Sequence, residues 1–267
     1  MKIGFDSSKF ETLDEYHELR QQYSENVQNL KRNWTRIEDA IITRASSLLP
    51  SKEFQVEFKI SIDISVEEND ESIAIHPVYT SETEAFVSKA SHKVHSILCR
   101  KLLKYDVDAI PEEDKALVRT LETIQLEGVG DHIDKEYFVY SENHSYPDYK
   151  FESEFKATLD NIYQTITAFD EVFRNMAQET TKSKKSLEDL KVFTPSYGNP
   201  LGYYMSTIII KNSLLNELLT NLNNPFNFFR LYNKAVSKDR VEIPSFSEET
   251  INQIIKLEEL YLKKDSN

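Results

Sequence analysis

The segment His92-Lys93-Val94-His95-Ser96-Ile97-Leu98-Cys99 holds the densest set of chemically able side chains in this sequence. On a helix, at about 100° per residue, His92, His95 and Cys99 fall within about 60° of one face. Two imidazoles one turn apart can hold a metal ion, although the usual spacing on a zinc-binding helix is i, i+4 and here it is i, i+3. A packed or solvated helix face with no ligand is the competing reading of the same residues. Cys99, flanked by Leu98 and Leu102, reads as core, and its neighbour His95 is weak ground for a nucleophile.

A second group is Leu126-Glu127-Gly128-Val129-Gly130-Asp131-His132. Glu127 borders the apolar stripe of Leu117, Leu121 and Ile124, so its carboxylate needs a cation, a donor cluster or a metal. Gly128 and Gly130 either let another helix approach closely or end this one in a left-handed cap. A third group is Tyr197-Gly198-Asn199-Pro200-Leu201-Gly202-Tyr203-Tyr204-Met205. Pro200 near the first helical position leaves the amides around Leu201 and Gly202 as free donors. A tyrosine hydroxyl such as that of Tyr203 can stabilise an oxyanion beside them, and plain helix initiation with aromatic packing is the alternative. No G-x-G-x-x-G, G-x-x-x-x-G-K-[ST] or G-x-S-x-G motif occurs, so nucleotide loops and a nucleophile elbow are not indicated.

The elements that must position these groups are mostly helical. Only five glycines occur in 267 residues, four of them in the two clusters just described, which predicts long helices with few tight turns. Apolar periodicity predicts helices over 8–33, 35–48, 82–104, 112–127, 150–180, 201–222, 225–236 and 247–263, the last with a Ser-x-x-Glu capping pattern around Ser247 and Thr250. Pro111 and Pro200 stand at helix starts. Residues 53–65 change period: Phe54, Val56, Phe58, Ile60, Ile62 and Ile64 alternate with polar residues, and 72–79 reads as a second strand, together a β-hairpin. The loop 137–149 is aromatic and reads as packed. The expectation is one mainly α domain with a small β-hairpin (α+β): N-terminal helices in 1–50, the hairpin in 53–79, motif helices in 82–135 and a helical C-terminal part in 150–263.

Composition narrows the function. A hydrophobic fraction of 39% supports a buried core. The net charge of −13 argues against a nucleic-acid partner. No run is long enough for a membrane span and the first residues lack the apolar core of a signal peptide, so the expected location is cytoplasmic. One cysteine excludes an intrachain disulfide and a Cys-rich zinc site.

These motifs resemble the zinc-dependent peptidases of gluzincin type. The resemblance rests on the hairpin at 53–79, LEGVGDHIDK at 126–135, GNPLGYYMSTII at 198–209 and NPFNFFRLYNKAV at 224–236, in that order along most of the chain. It implies a helical metallopeptidase fold around an HExxH helix, zinc as cofactor, and Glu127 as third metal ligand. The HExxH position falls in ASHKVHSIL. In one register His92 keeps the first ligand, Lys93 replaces the general base and Ser96 replaces the second ligand. In the other, His95 is the second ligand, Ser91 stands at the first and His92 at the base. Asn199 stands where the family tends to carry His. Either register lacks one histidine and the catalytic carboxylate.

Lysine, a cation near neutral pH, cannot take the proton of a zinc-bound water as that glutamate does. The resemblance with these departures implies a peptidase-like protein with lost or weakened zinc. It would bind a peptide or protein partner in a cleft lined by Ser96, Gly128, Asp131, Asn199, Gly202, Tyr203 and Tyr204. Lys93 can then neutralise Glu127 in place of a metal. An active zinc hydrolase using His92, His95 and Glu127 is the alternative, with Cys99 or His132 in reserve and Glu122, Asp131 or Tyr203 moving the proton. An unrelated acidic helical interaction protein is the third reading.

Overall fold

The computed structural model describes residues 3–4, 13–50, 59–63, 72–105, 109–140, 149–178, 190, 193, 200–239 and 241–262. The fold is mainly α with a small β part. The chain divides into two compact units, Met1–Leu98 with Ile133–Glu152, and Cys99–His132 with Ser153–Asn267.

The first unit contains a three-stranded sheet in the order β1 (Ile3–Gly4), β2 (Lys59–Asp63), β3 (Ser72–Ile75). Both pairings are parallel, with Ile60 opposite Ile73 and Ile62 opposite Ile75. This corrects the expected hairpin. Alternation fixes which face of a strand is buried, and a strand of either direction satisfies it, so direction is not legible in the pattern. The strand residues Phe54, Val56, Phe58 and Ile64 lie outside the described residues. Helices α1 (Leu13–Arg32) and α2 (Trp34–Ser46) bury Val27, Leu30, Ile37, Ile41 and Ala45. Arg44 of α2 donates to Ser88 Oγ at 2.7 Å and pairs with Glu84 at 2.7 Å, tying α2 to α3 (Thr83–Arg100). A short 3-10 turn, Pro77–Ser81, leads into α3 and places Tyr79 edge-on to Phe138 at 5.5 Å.

Helix α4 runs from Glu112 to Val139, well beyond the expected end at 127. Its glycines are therefore interior residues, not a cap. Each costs the helix about 1 kcal/mol relative to alanine, and tertiary packing offsets that cost. A Cβ on Gly128 would lie 2.3 Å from the backbone of Gly202. Only glycine at both positions lets α4 and α7 (Pro200–Lys211) meet backbone to backbone.

The expected helix 150–180 is two, α5 (Tyr149–Asp160) and α6 (Ile162–Gln178), and the expected helix 201–222 is α7 followed by α8 (Leu215–Thr220). Helices α9 (Pro225–Val236) and α10 (Glu248–Tyr261) complete the second unit. Its core centres on Phe169, whose ring lies 5.2–5.6 Å from those of Phe173, Phe193, Phe229 and Phe246. Ser247 is the N-cap of α10, and the cap is completed by Asp170, which accepts from both Ser247 N–H and Oγ–H at 2.8 Å.

Candidate functional site

Helices α3 and α4 bring the first unit's ionisable groups together. His92 and Asp134 are both buried, and His92 Nδ1–H donates to Asp134 Oδ1 at 2.8 Å. Lys89, one turn before His92 on α3, donates to Asp134 Oδ2 at 3.4 Å. Lys135 Nζ lies 3.7 Å from the same oxygen and donates to Glu152 Oε1 of α5 at 3.2 Å. Lys89 also sits over the rings of Tyr79 and Phe138, 5.5 and 5.0 Å from their centroids, which stabilises its charge out of water. Burial pushes the Asp134 carboxyl up, but His92, Lys135 and Lys89 outweigh it and hold the group well below the usual carboxylate range. Burial raises Glu152 despite Lys135 and Lys89.

Asp131 is fully buried one turn before Asp134 on the same helix, so the backbone of α4 itself holds the two carboxylates together. Within the first unit His92 and Asp134 each offer a ligand atom, an imidazole nitrogen and a carboxylate oxygen.

The other candidate residues have separate settings. His95 is fully buried, and its Nδ1–H donates to the Ala45 carbonyl at 3.0 Å, bridging α3 to α2. Ser96 Oγ is buried and makes no hydrogen bond among the described residues. Lys93 is half-buried on α3. In the second unit Glu127 lies 3.6 Å from Arg100. Burial, reinforced by Glu127, pushes the Cys99 thiol far up, so it is a core thiol as the sequence indicates. Glu122 is raised by burial and accepts from Tyr105 O–H at 2.9 Å.

His132, which burial pushes down to about 4, is a neutral ring stacked on Tyr203 at 4.5 Å, with Nε2 2.8 Å from Ser206 Oγ. Ser206 Oγ also lies 3.1 Å from the Gly128 carbonyl and 2.9 Å from that of Gly202. Tyr204 lies against Tyr163, ring centroids 6.3 Å apart. Asn199 lies outside the described residues.

Sequence reasoning missed Lys89, Asp134, Lys135 and Glu152. The signal for one of them, Asp134, was present. Carrying the helical period of 112–127 through the glycines puts Asp131 and Asp134 on one face, one turn apart.

Residues 3–241 match the family described as "Putative zinc dependent peptidase (DUF5700)". The match covers most of the chain, which therefore belongs to that family, and this removes the reading as an unrelated helical protein. No curated protein and no solved structure is significantly similar to it.

The family description implies zinc, and the donors test that. An imidazole with two carboxylates suits a divalent cation in kind. The His92–Asp134 bond orients the ring as a carboxylate orients a metal-ligating histidine. Positive charge, however, is already present: the ammonium groups of Lys89 and Lys135 lie against Asp134 and Glu152. A divalent ion on Asp134 would share its oxygens with two cations in a medium where like charges repel strongly. Lys89 and Lys135 thus place two positive charges beside the donors that a divalent ion would use.

Proposed function

We propose that this chain is a zinc-peptidase family member that has lost metal-dependent hydrolysis and works by binding a peptide or protein segment. The observation that carries the reading is the double ion pairing of Asp134 by Lys89 and Lys135 beside His92. In one register of the resembled HExxH motif a lysine, Lys93, stands where that family carries its general-base carboxylate, which supports the same reading. The family scaffold persists while the proton acceptor and the charge that would attract zinc do not. The β3 strand stands at the end of the sheet order, and an extended segment can add to such a strand through backbone hydrogen bonds.

The test is metal content and turnover of the full chain. Protein purified without chelator, then supplied with zinc, is assayed by elemental analysis and by cleavage of a mixed peptide pool. The expected result is substoichiometric zinc and no zinc-dependent cleavage. A second reading, a metal hydrolase centred on His92 and Asp134, is favoured by the buried contact of those two donors at 2.8 Å. One zinc per chain with cleavage, both abolished by His92→Ala, would establish it and overturn the first.

A further inference from the structure

We propose that Lys89 and Lys135 are a built-in substitute for a divalent cation, and that the chain retains a latent metal site which their charges keep closed. This deepens the reading above and rests on it. The two lysines come from different helices and converge on one carboxylate, at 3.4 and 3.7 Å from Asp134 Oδ2. Together they carry the charge of one divalent ion. The donors remain in place beside them: His92 and Asp134 are buried and 2.8 Å apart, and Asp131 is buried one turn before Asp134 on α4.

A buried carboxylate pair with an imidazole is costly without positive charge nearby. The ammonium groups supply positive charge with no open coordination position, Lys135 also through its hydrogen bond to Glu152 at 3.2 Å, so the arrangement has no Lewis acid to offer. Lys89 is further fixed by the rings of Tyr79 and Phe138. That setting holds a cation permanently rather than for exchange.

Removing one ammonium should therefore open the site. Lys89→Met keeps the length and apolar stem and deletes the charge; Lys135→Met does so from the α4 side. Lys89→Arg keeps the charge. Each is titrated with Co²⁺ and Zn²⁺, read by cobalt absorption and by calorimetry on folded full-length protein. The expected result is a gain of at least about a hundredfold in affinity for Lys89→Met or Lys135→Met over the parent, the loss of one unit charge beside a divalent ion accounting for that order. Lys89→Arg should show no gain, and adding His92→Ala to Lys89→Met should abolish it.

If neither methionine variant binds metal more tightly than the parent, and the parent binds none, the substitution idea is overturned while the non-hydrolytic reading stands. If the parent binds as tightly as the variants, the lysines do not close the site and the idea is likewise overturned, with the cleavage assay deciding the function separately. Should Lys89→Met unfold in metal-free buffer, recovery of helical circular dichroism on adding Zn²⁺ supports the proposal, and no recovery overturns it.

Discussion

Gly128 and Gly202 touch through their backbones. A Cβ on Gly128 would lie 2.3 Å from the Cα of Gly202, and one on Gly202 would lie 1.8 Å from the Ile124 carbonyl oxygen. Helix propensity alone favours alanine at an interior position by about 1 kcal/mol. Overpacking against backbone, which cannot rotate away, costs roughly 1–3 kcal/mol or more. Gly128→Ala is therefore expected to destabilise the fold, and Gly202→Ala more so because its nearest atom is closer. Urea denaturation checks this; a raised midpoint for either variant would show that the helices part without cost.

Asp134→Asn keeps the size of the side chain and leaves Lys89 and Lys135 without their shared counter-ion. Breaking one side of a buried ion network costs roughly 3–5 kcal/mol. The expected outcome is a large fall in unfolding free energy. Adding Lys89→Met to Asp134→Asn should recover part of it, because the stranded charge is then gone. A full thermodynamic cycle measures the coupling, and additivity of the two changes would mean that the residues do not interact.

Glu258 of α10 accepts from Asn224 and from both guanidinium nitrogens of Arg230. Burial raises its carboxyl, but the Arg230 and Asn224 hydrogen bonds outweigh burial and hold it below the usual range. A carboxyl depressed on folding adds stability above its unfolded value, near 4.3 on the scale of free glutamate, and loses it as pH falls through the folded value. Unfolding free energy is thus expected to drop as pH falls below about 4. The drop should be shallower in Glu258→Gln. Parallel pH–stability curves for the two proteins would count against the assignment.

Ser247 caps α10 through Thr250 N–H at 3.3 Å and hands its own N–H and hydroxyl to Asp170. Ser247→Ala removes the cap oxygen and one of those two donors, with an expected cost of about 1–2 kcal/mol. Asp170→Ala should cost a similar amount and couple to it. Thermal melts of the single and double variants measure this, and independence of the two would show that Asp170 plays no part in the cap.

The second unit was the more legible. Pro225 and Ser247 begin helices where the sequence indicates, because a proline at the first turn and a serine cap act within a few residues. The end of α4 was misjudged for a related reason. Glycine is locally a stop signal, and its role here as a contact surface exists only once Gly202 lies against it. Within the candidate site His92 stands out in the sequence by its type and its place on a helix. Lys89 and Lys135 do not, since a lysine on a polar helix face reads as solvated unless its partner is known.

By itself the sequence determined the helical character of the chain and the positions of most helix starts. These follow from neighbours a turn or two apart. Tertiary structure alone decided that the strands pair in parallel, that Gly128 meets Gly202, and that His92 and Lys89 converge on Asp134 across 42 and 45 residues of chain. Such meetings depend on how α3 and α4 pack side by side, and the free energy that aligns them is spread over the whole apolar core, so no local pattern carries it.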